Sequence, residues 1–248
     1  MKILINGISG HMGREVLRLA LDGYHGACGA VGVDKNRGVD GVECYGSLNE
    51  AEGRADIIID FSHHTAITEL TEFAVRTSTP LVVATTGHTE EELKLIHEAA
   101  KSVPVFHSAN MSLGVALLVE LAKTAARAMP DAEIEIVEKH HNRKLDAPSG
   151  TALMLAGEIK KVRPKSTFTL GRSGMAKRTP SEIGIHAIRM GNIVGEHEVI
   201  VGTETQTITL KHEAHSRALF AEGAVVAAEF LIKQTPGLYD MNDIINFK

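Results

Sequence analysis

The chain has 248 residues, long for a single nucleotide-binding module and short for two full domains. Its 44% hydrophobic and 23% charged residues are ordinary globular composition, which excludes wholesale disorder. With 26 Lys and Arg against 31 Asp and Glu, the net charge of −5 argues against a generally basic nucleic-acid binder.

The amino terminus, Met1 to Gly7, starts as a strand and carries one charge, so no signal peptide is expected. No apolar run approaches the ~20 residues that a spanning helix needs. Cys28 and Cys44 cannot build a disulfide framework and read as free thiols. A cytoplasmic protein without membrane contact is the expectation.

In the first half, Ile3–Ile5 reads as a strand, Gly13–Leu21 as a helix and Cys28–Val33 as a second strand. Ile57–Asp60, Leu81–Thr85 and Val103–His107 read as further strands, separated by helical stretches at Thr65–Thr77 and Thr89–Ser102. Thr89 with Glu92 three residues on is a capping-box spacing. Strand and helix alternating in this way predict a parallel sheet wound on both faces.

Leu113–Met129 is a long helical stretch closed by Pro130-Asp131, and then the texture changes. Ala132–Lys139 reads as a strand, His140–Ser149 as a polar loop and Gly150–Lys161 as a helix. Ile183–Arg189, Glu196–Thr203 and Thr205–His212 look like antiparallel strands, and Arg217–Gln234 is helical again. The expected fold class is α/β: a doubly wound parallel Rossmann-type sheet plus a second α+β domain with a mixed, largely antiparallel open sheet. The expected domains are 1–111 with 217–248 for a dinucleotide, and 112–216 for substrate binding and oligomerisation.

Three segments carry chemistry. Gly7-Ile8-Ser9-Gly10-His11-Met12-Gly13 follows a strand and opens a helix, where backbone N–H groups can approach a pyrophosphate. Asp34 closes the second strand, where an acid grips a ribose diol, and the adjacent Lys35 could meet a 2′-phosphate. The pair points to use of both NADH and NADPH, with a solvated lysine in a turn as the equal alternative. Ala84-Thr85-Thr86-Gly87 and Ser108-Ala109-Asn110-Met111 follow two later strands, at the carboxyl ends where such sheets bind ligands.

The third segment runs from Glu138 to Thr151 and packs His140, His141, Lys139, Arg143 and Lys144 ahead of a helix start at Pro148-Ser149-Gly150-Thr151. A helix amino end binds carboxylates, and an imidazole beside it can exchange a proton near neutral pH. Metal binding is disfavoured, because adjacent strand histidines point to opposite faces and no Cys or H-x-x-x-H partner is near. From Lys139 to Arg189 there are eleven Lys or Arg against three acids, a local +8 that suits a small anionic substrate. Phe168 is the sole aromatic there, so nucleic acid is not supported.

These motifs, with Asp60-Phe61-Ser62 and the run Glu138-x-His140-His141-x-x-Lys144-x-Asp146-Ala147-Pro148-Ser149-Gly150-Thr151, resemble the 4-hydroxy-tetrahydrodipicolinate reductases, also called dihydrodipicolinate reductases. Ile183 to His197 and Gly237 to Met241 extend the likeness over essentially the whole chain. The resemblance implies an NAD(P)H-dependent reductase of the diaminopimelate route to lysine. It implies His140 as proton donor or acceptor, Lys144 as second proton donor, and His141, Gly150 and Thr151 as substrate carboxylate contacts. Gly7 through Met12, Asp34, Ala84, Thr85, Thr86 and Ser108 through Met111 match its cofactor contacts, and a homotetramer through the second domain's sheet is implied. Ala84 and Met111 depart from the family's common Gly and Phe. Lys35 stands where some members have Arg, which weakens a preference for NADPH because lysine cannot fork onto a phosphate. Two other readings fit the residues less well: a reductase of another anionic imine, and a non-catalytic NAD-binding redox sensor.

Overall fold

The computed structural model describes residues 1–36 and 39–245. The chain runs β1 (Ile3–Asn6), α1 (His11–Leu21), β2 (Ala30–Val33), β3 (Cys44–Tyr45), β4 (Ile57–Asp60) and α2 (Ile67–Thr77). It continues with β5 (Leu81–Val83), α3 (Glu90–Ala99), β6 (Pro104–His107), α4 (Leu113–Ala128), β7 (Glu133–His140) and α5 (Gly150–Val162). Then follow β8 (Thr167–Leu170), β9 (Glu182–Arg189), β10 (Gly195–Gly202), β11 (Thr207–Ala214), α6 (Ala218–Leu231), β12 (Gly237–Tyr239) and α7 (Met241–Ile245). Two compact units result: Met1–Leu113 with the chain from Ala218 onward, and Gly114–Arg217. Residues 246–248, the end of the expected first-domain return, lie outside the described residues.

In the first unit, seven strands in the order β12-β6-β5-β4-β1-β2-β3 make an all-parallel sheet. Its central strands are unbroken apolar runs, Ile57–Ile59 and Leu81–Val83, fully buried because helices cover both faces. Leu70, Phe73, Ile96 and Ala99 of α2 and α3 pack on one face. On the other, the small residues Ala221, Ala224, Ala227 and Ala228 let α6 approach closely. The strand order reverses between β1 and β4, where an open parallel sheet offers a crevice at its carboxyl edge.

Helix α1 starts at His11, two residues earlier than expected, because Gly10 serves as the N-cap. Gly7 turns the chain with φ +83, and a Cβ on Gly13 would lie 2.3 Å from the Gly7 carbonyl oxygen. Only hydrogen at 13 lets the helix sit that close to the turn. Thr89 and Glu92 do form a reciprocal capping box, with bonds of 3.2 and 2.8 Å.

The second unit carries a mixed five-stranded sheet in the order β11-β10-β7-β9-β8. The β10 strand pairs antiparallel with β11 and β7. The strand expected to be antiparallel at Ile183–Arg189 instead pairs parallel with both β7 and β8. The reason is topological: α5 carries the chain back to start β8, and residues 171–181 carry it back again to start β9. The short strands β3, β8 and β12 were absent from the sequence expectation, since two to four residues carry no usable periodicity.

One face of this sheet buries Ile134, Ile136, Ile183, Ile185, Val199 and Val201 against Leu118 and Ala122 of α4 and Leu155 and Ile159 of α5. Continued along the same phase, β7 reaches Glu138 and His140, β9 reaches Ala187 and Arg189, and β10, read backwards, reaches His197 and Gly195. The helix-covered face therefore changes from apolar to polar at one end.

Candidate active site

In the first unit, the Gly7–Gly10 turn and the end of β2 are tied together. The Gly7 N–H donates to Val33 O at 2.9 Å. Asp34 accepts from the backbone N–H of Ser9 at 3.1 Å and of Asn36 at 2.9 Å. Ile8 is fully buried and the backbone carries its contribution to the turn, while His11 is exposed at the head of α1. Gly10 gives no side-chain cap and the first turn of α1 holds no acidic residue, so the helix amino end suits a phosphate anion.

Sequence reasoning missed how the strand ends are joined. Asp60, 1% exposed, accepts from Asn6 Nδ2 at 2.8 Å, Ser62 Oγ at 2.6 Å and Thr85 Oγ1 at 2.7 Å. One buried carboxylate thus fixes the ends of β1 and β4 and the segment after β5. Thr85 is buried by this bond, whereas Thr86 is exposed. Ser108 Oγ donates to the Asn110 carbonyl at 2.9 Å, and Asn110 Oδ1 accepts from the Ser112 N–H at 2.9 Å. Ala84 and Met111, the two departures, are 6% and 2% exposed, and the Met111 carbonyl lies against Gly223 of α6. Met111 is thereby a packing residue of this unit. Lys35 is exposed beside Asp34.

In the second unit, the end of the covered face gathers His140, Glu138, Arg189, His197 and Ser149. Glu138 is fully buried. Its Oε2 accepts from His140 Nδ1 at 2.5 Å and Arg189 Nη1 at 2.8 Å. Its Oε1 accepts from Arg189 Nη2 at 2.6 Å and from the Ser149 N–H at 3.0 Å. Burial alone would raise this carboxyl, but the Arg189, His140 and Ser149 donors outweigh it and hold it below the usual carboxylate range. Ser149 caps α5 through Ala152 N at 3.2 Å and meets His197 Nε2 at 3.0 Å. His197 is pushed down to about 4, chiefly by burial and then by the neighbouring His140.

The loop beyond β7 places the remaining expected residues. The His141 N–H donates to Ile193 O at 2.8 Å, and burial followed by the Arg143 charge pushes its imidazole below the ordinary range. Lys144 Nζ pairs with Asp146 Oδ1 at 2.8 Å, and Asp146 is largely exposed. Gly150 and Thr151 open α5, whose first turn holds no acidic residue. This unit therefore brings together a buried carboxylate–imidazole pair, a lysine and a capped helix amino end. It can hold an anion and deliver a proton to it. Glu138, Arg189 and His197 carried one sequence signal that went unused: each is a polar residue on the apolar phase of its strand.

Residues 1–111 match the family described as dihydrodipicolinate reductase, N-terminus, and residues 114–245 match dihydrodipicolinate reductase, C-terminus. A protein of Caldanaerobacter subterraneus subsp. tengcongensis named 4-hydroxy-tetrahydrodipicolinate reductase is 49% identical over 99% of this chain and 98% of its own. One of the same name from Clostridium novyi is 42% identical over 100% of this chain and 99% of its own. The solved structure of dipicolinate-bound dihydrodipicolinate reductase from a Paenisporosarcina species shares the fold, with a TM-score of 0.82 at 23% identity over 98% of both chains.

Proposed function

The chain belongs to the dihydrodipicolinate reductase family, and from that premise we propose how its residues divide the work of reducing 4-hydroxy-tetrahydrodipicolinate in lysine biosynthesis. The first unit binds NADH or NADPH. The backbone of Gly7 through Met12 would hold the pyrophosphate, Asp34 the ribose diol, and Lys35 a 2′-phosphate. Ala84 through Thr86 and Ser108 through Asn110 would border the nicotinamide, with Met111 packed behind them. When bound there, the reduced nicotinamide supplies a hydride. Lys35 meets a phosphate as a point charge without forked geometry, which favours tolerance of both cofactors over strong selection.

The second unit binds the dianionic substrate. The amino end of α5 at Gly150 and Thr151 receives one carboxylate, and His141 and Lys144 hold the rest of the charge. Lys144 exchanges its solvent-facing Asp146 partner for the substrate, a low-cost swap because exposed ion pairs contribute little. Fixing both charged ends orients the ring and removes much of the entropic cost of the reaction. The electron-rich enamine left after reduction needs a proton, which His140 and Lys144 are equipped to deliver. The observation that carries this reading is the single loop 138–151, which joins an acid–base imidazole, a lysine and a helix amino end.

No helix of the described residues is long and apolar enough to cross a membrane. We place the protein in the cytoplasm as a homotetramer formed through the second sheet's uncovered face. There Ile188 and Ile200 stand among the Lys139–Glu196 and Lys211–Glu198 ion pairs.

The test is cofactor oxidation at about 340 nm with freshly generated substrate. Replacing Lys144→Ala is expected to lower kcat by about 100-fold or more while leaving NADH affinity within about twofold. Unchanged turnover would overturn the assignment of Lys144, and no oxidation by the wild type would favour a non-catalytic sensor.

A further inference from the structure

Glu138, a fully buried carboxylate in the second unit, is a group that the proton-transfer chemistry does not itself require. We propose that Glu138, clamped by Arg189, is the positioning residue of the acid–base imidazole: it fixes the ring and tautomer of His140 and locks that ring to the amino end of α5. The proposal rests on the reading of His140 as proton carrier.

A buried charge is costly unless its partners are well placed, and Glu138 has four donors on its two oxygens. An ionised carboxylate only accepts, so His140 Nδ1 must carry hydrogen and Nε2 is left as the proton-exchanging atom. The guanidinium forks onto both oxygens of the same carboxylate, sharing Oε2 with His140, and also donates to the Asp146 carbonyl at 2.6 Å, which stops Glu138 from rotating. Because Oε1 also accepts the Ser149 N–H, one side chain sets both the ring that moves the proton and the helix end that holds the anion. Displacement of either by about 1 Å is enough to cost a large factor in rate.

Arg189 on β9 shares Glu138 Oε2 with His140, and His141 and Lys144 follow the ring in the loop. His197 on β10 packs edge to face with His140 at 5.2 Å and stays neutral above about pH 4. Glu138 is the one carboxylate bonded to the ring among the described residues. It therefore alone holds the Nδ1 side of the ring from which the proton is given.

The experiment compares Glu138→Gln, Glu138→Asp and His140→Asn in the full-length enzyme. For Glu138→Gln, kcat is expected to fall about 10–100-fold with the KM for NADH changed less than about twofold. The imidazole-governed limb of the kcat–pH profile should move to lower pH. Glu138→Asp keeps the charge and should restore part of both. A wild-type measurement guards against misfolding of the glutamine variant: long-range proton–nitrogen spectra of histidine-labelled enzyme, assigned with His140→Asn, should show hydrogen on Nδ1. An Nε2–H tautomer, or a glutamine variant with unaltered kcat and pH limb beside an inactive His140→Asn, overturns the proposal alone. A His140→Asn enzyme with full turnover overturns instead the underlying reading of His140.

Discussion

At the residue scale, His197 shows how burial sets chemistry. Only 4% exposed, it sits where three strands turn polar, and desolvation pushes its pKa from 6.5 to about 4. Between those values the unfolded chain binds a proton that the folded chain refuses, so stability rises with pH across the window. The native state thus keeps its full stability above about pH 6.5 and loses it as pH falls through about 4. Urea unfolding at about pH 7 and about pH 4.5 should show that His197→Gln loses about 2–3 kcal/mol less than the wild type on acidification. Equal losses would mean that the imidazole is not held neutral. Within Gly195-Glu196-His197-Glu198 only the shared phase of His197 with Val199 and Val201 marks it, and an alternating strand looks the same whichever face is covered.

At the element scale, α5 is defined by the residue that caps it. Ser149 caps the helix, accepts from Ala152 N and meets His197, so its hydroxyl serves two buried partners. Ser149→Ala should cost about 1 kcal/mol for the cap and up to about 1 more for an orphaned His197 nitrogen. The same change should raise the substrate KM more than the NADH KM, read by urea midpoint and steady-state kinetics. A substrate KM that stays level would separate the cap from anion binding. The helix was legible, since Pro-Ser-Gly-Thr before an apolar stretch is a start signal in its own right. The parallel β9 was not, because strand direction depends on where a crossover lands, and the four-residue β8 left no periodic trace.

For the whole molecule, charge is distributed unevenly. Gly114–Arg217 holds 15 Lys and Arg against 12 Asp and Glu, a net +3, and the rest of the chain carries −8. The +8 counted from Lys139 to Arg189 overstates the positive field. Lys139, Arg178 and Arg189 are paired with Glu196, Glu135 and Glu138, all outside that segment. Attraction of a dianion then rests mainly on Lys144 and the amino end of α5, with a modest longer-range bias. Raising ionic strength from about 0.05 to about 0.5 M should increase the substrate KM several-fold and leave kcat nearly constant. A KM indifferent to salt would rule out electrostatic capture.

The sequence by itself determined the fold class, the glycine-rich turn and the helix start that closes the 138–151 loop, because each is written in neighbouring residues. Parallel strands buried on both faces read as apolar runs, and a helix start reads as a cap. The tertiary structure alone decided which polar residues meet behind the loop. Glu138, Arg189 and His197 come from three strands, and only their mutual register brings the polar ends of three apolar phases to one point. The same register decided which charges are neutralised. Pairing across a sheet is a long-range property, and no local pattern encodes it.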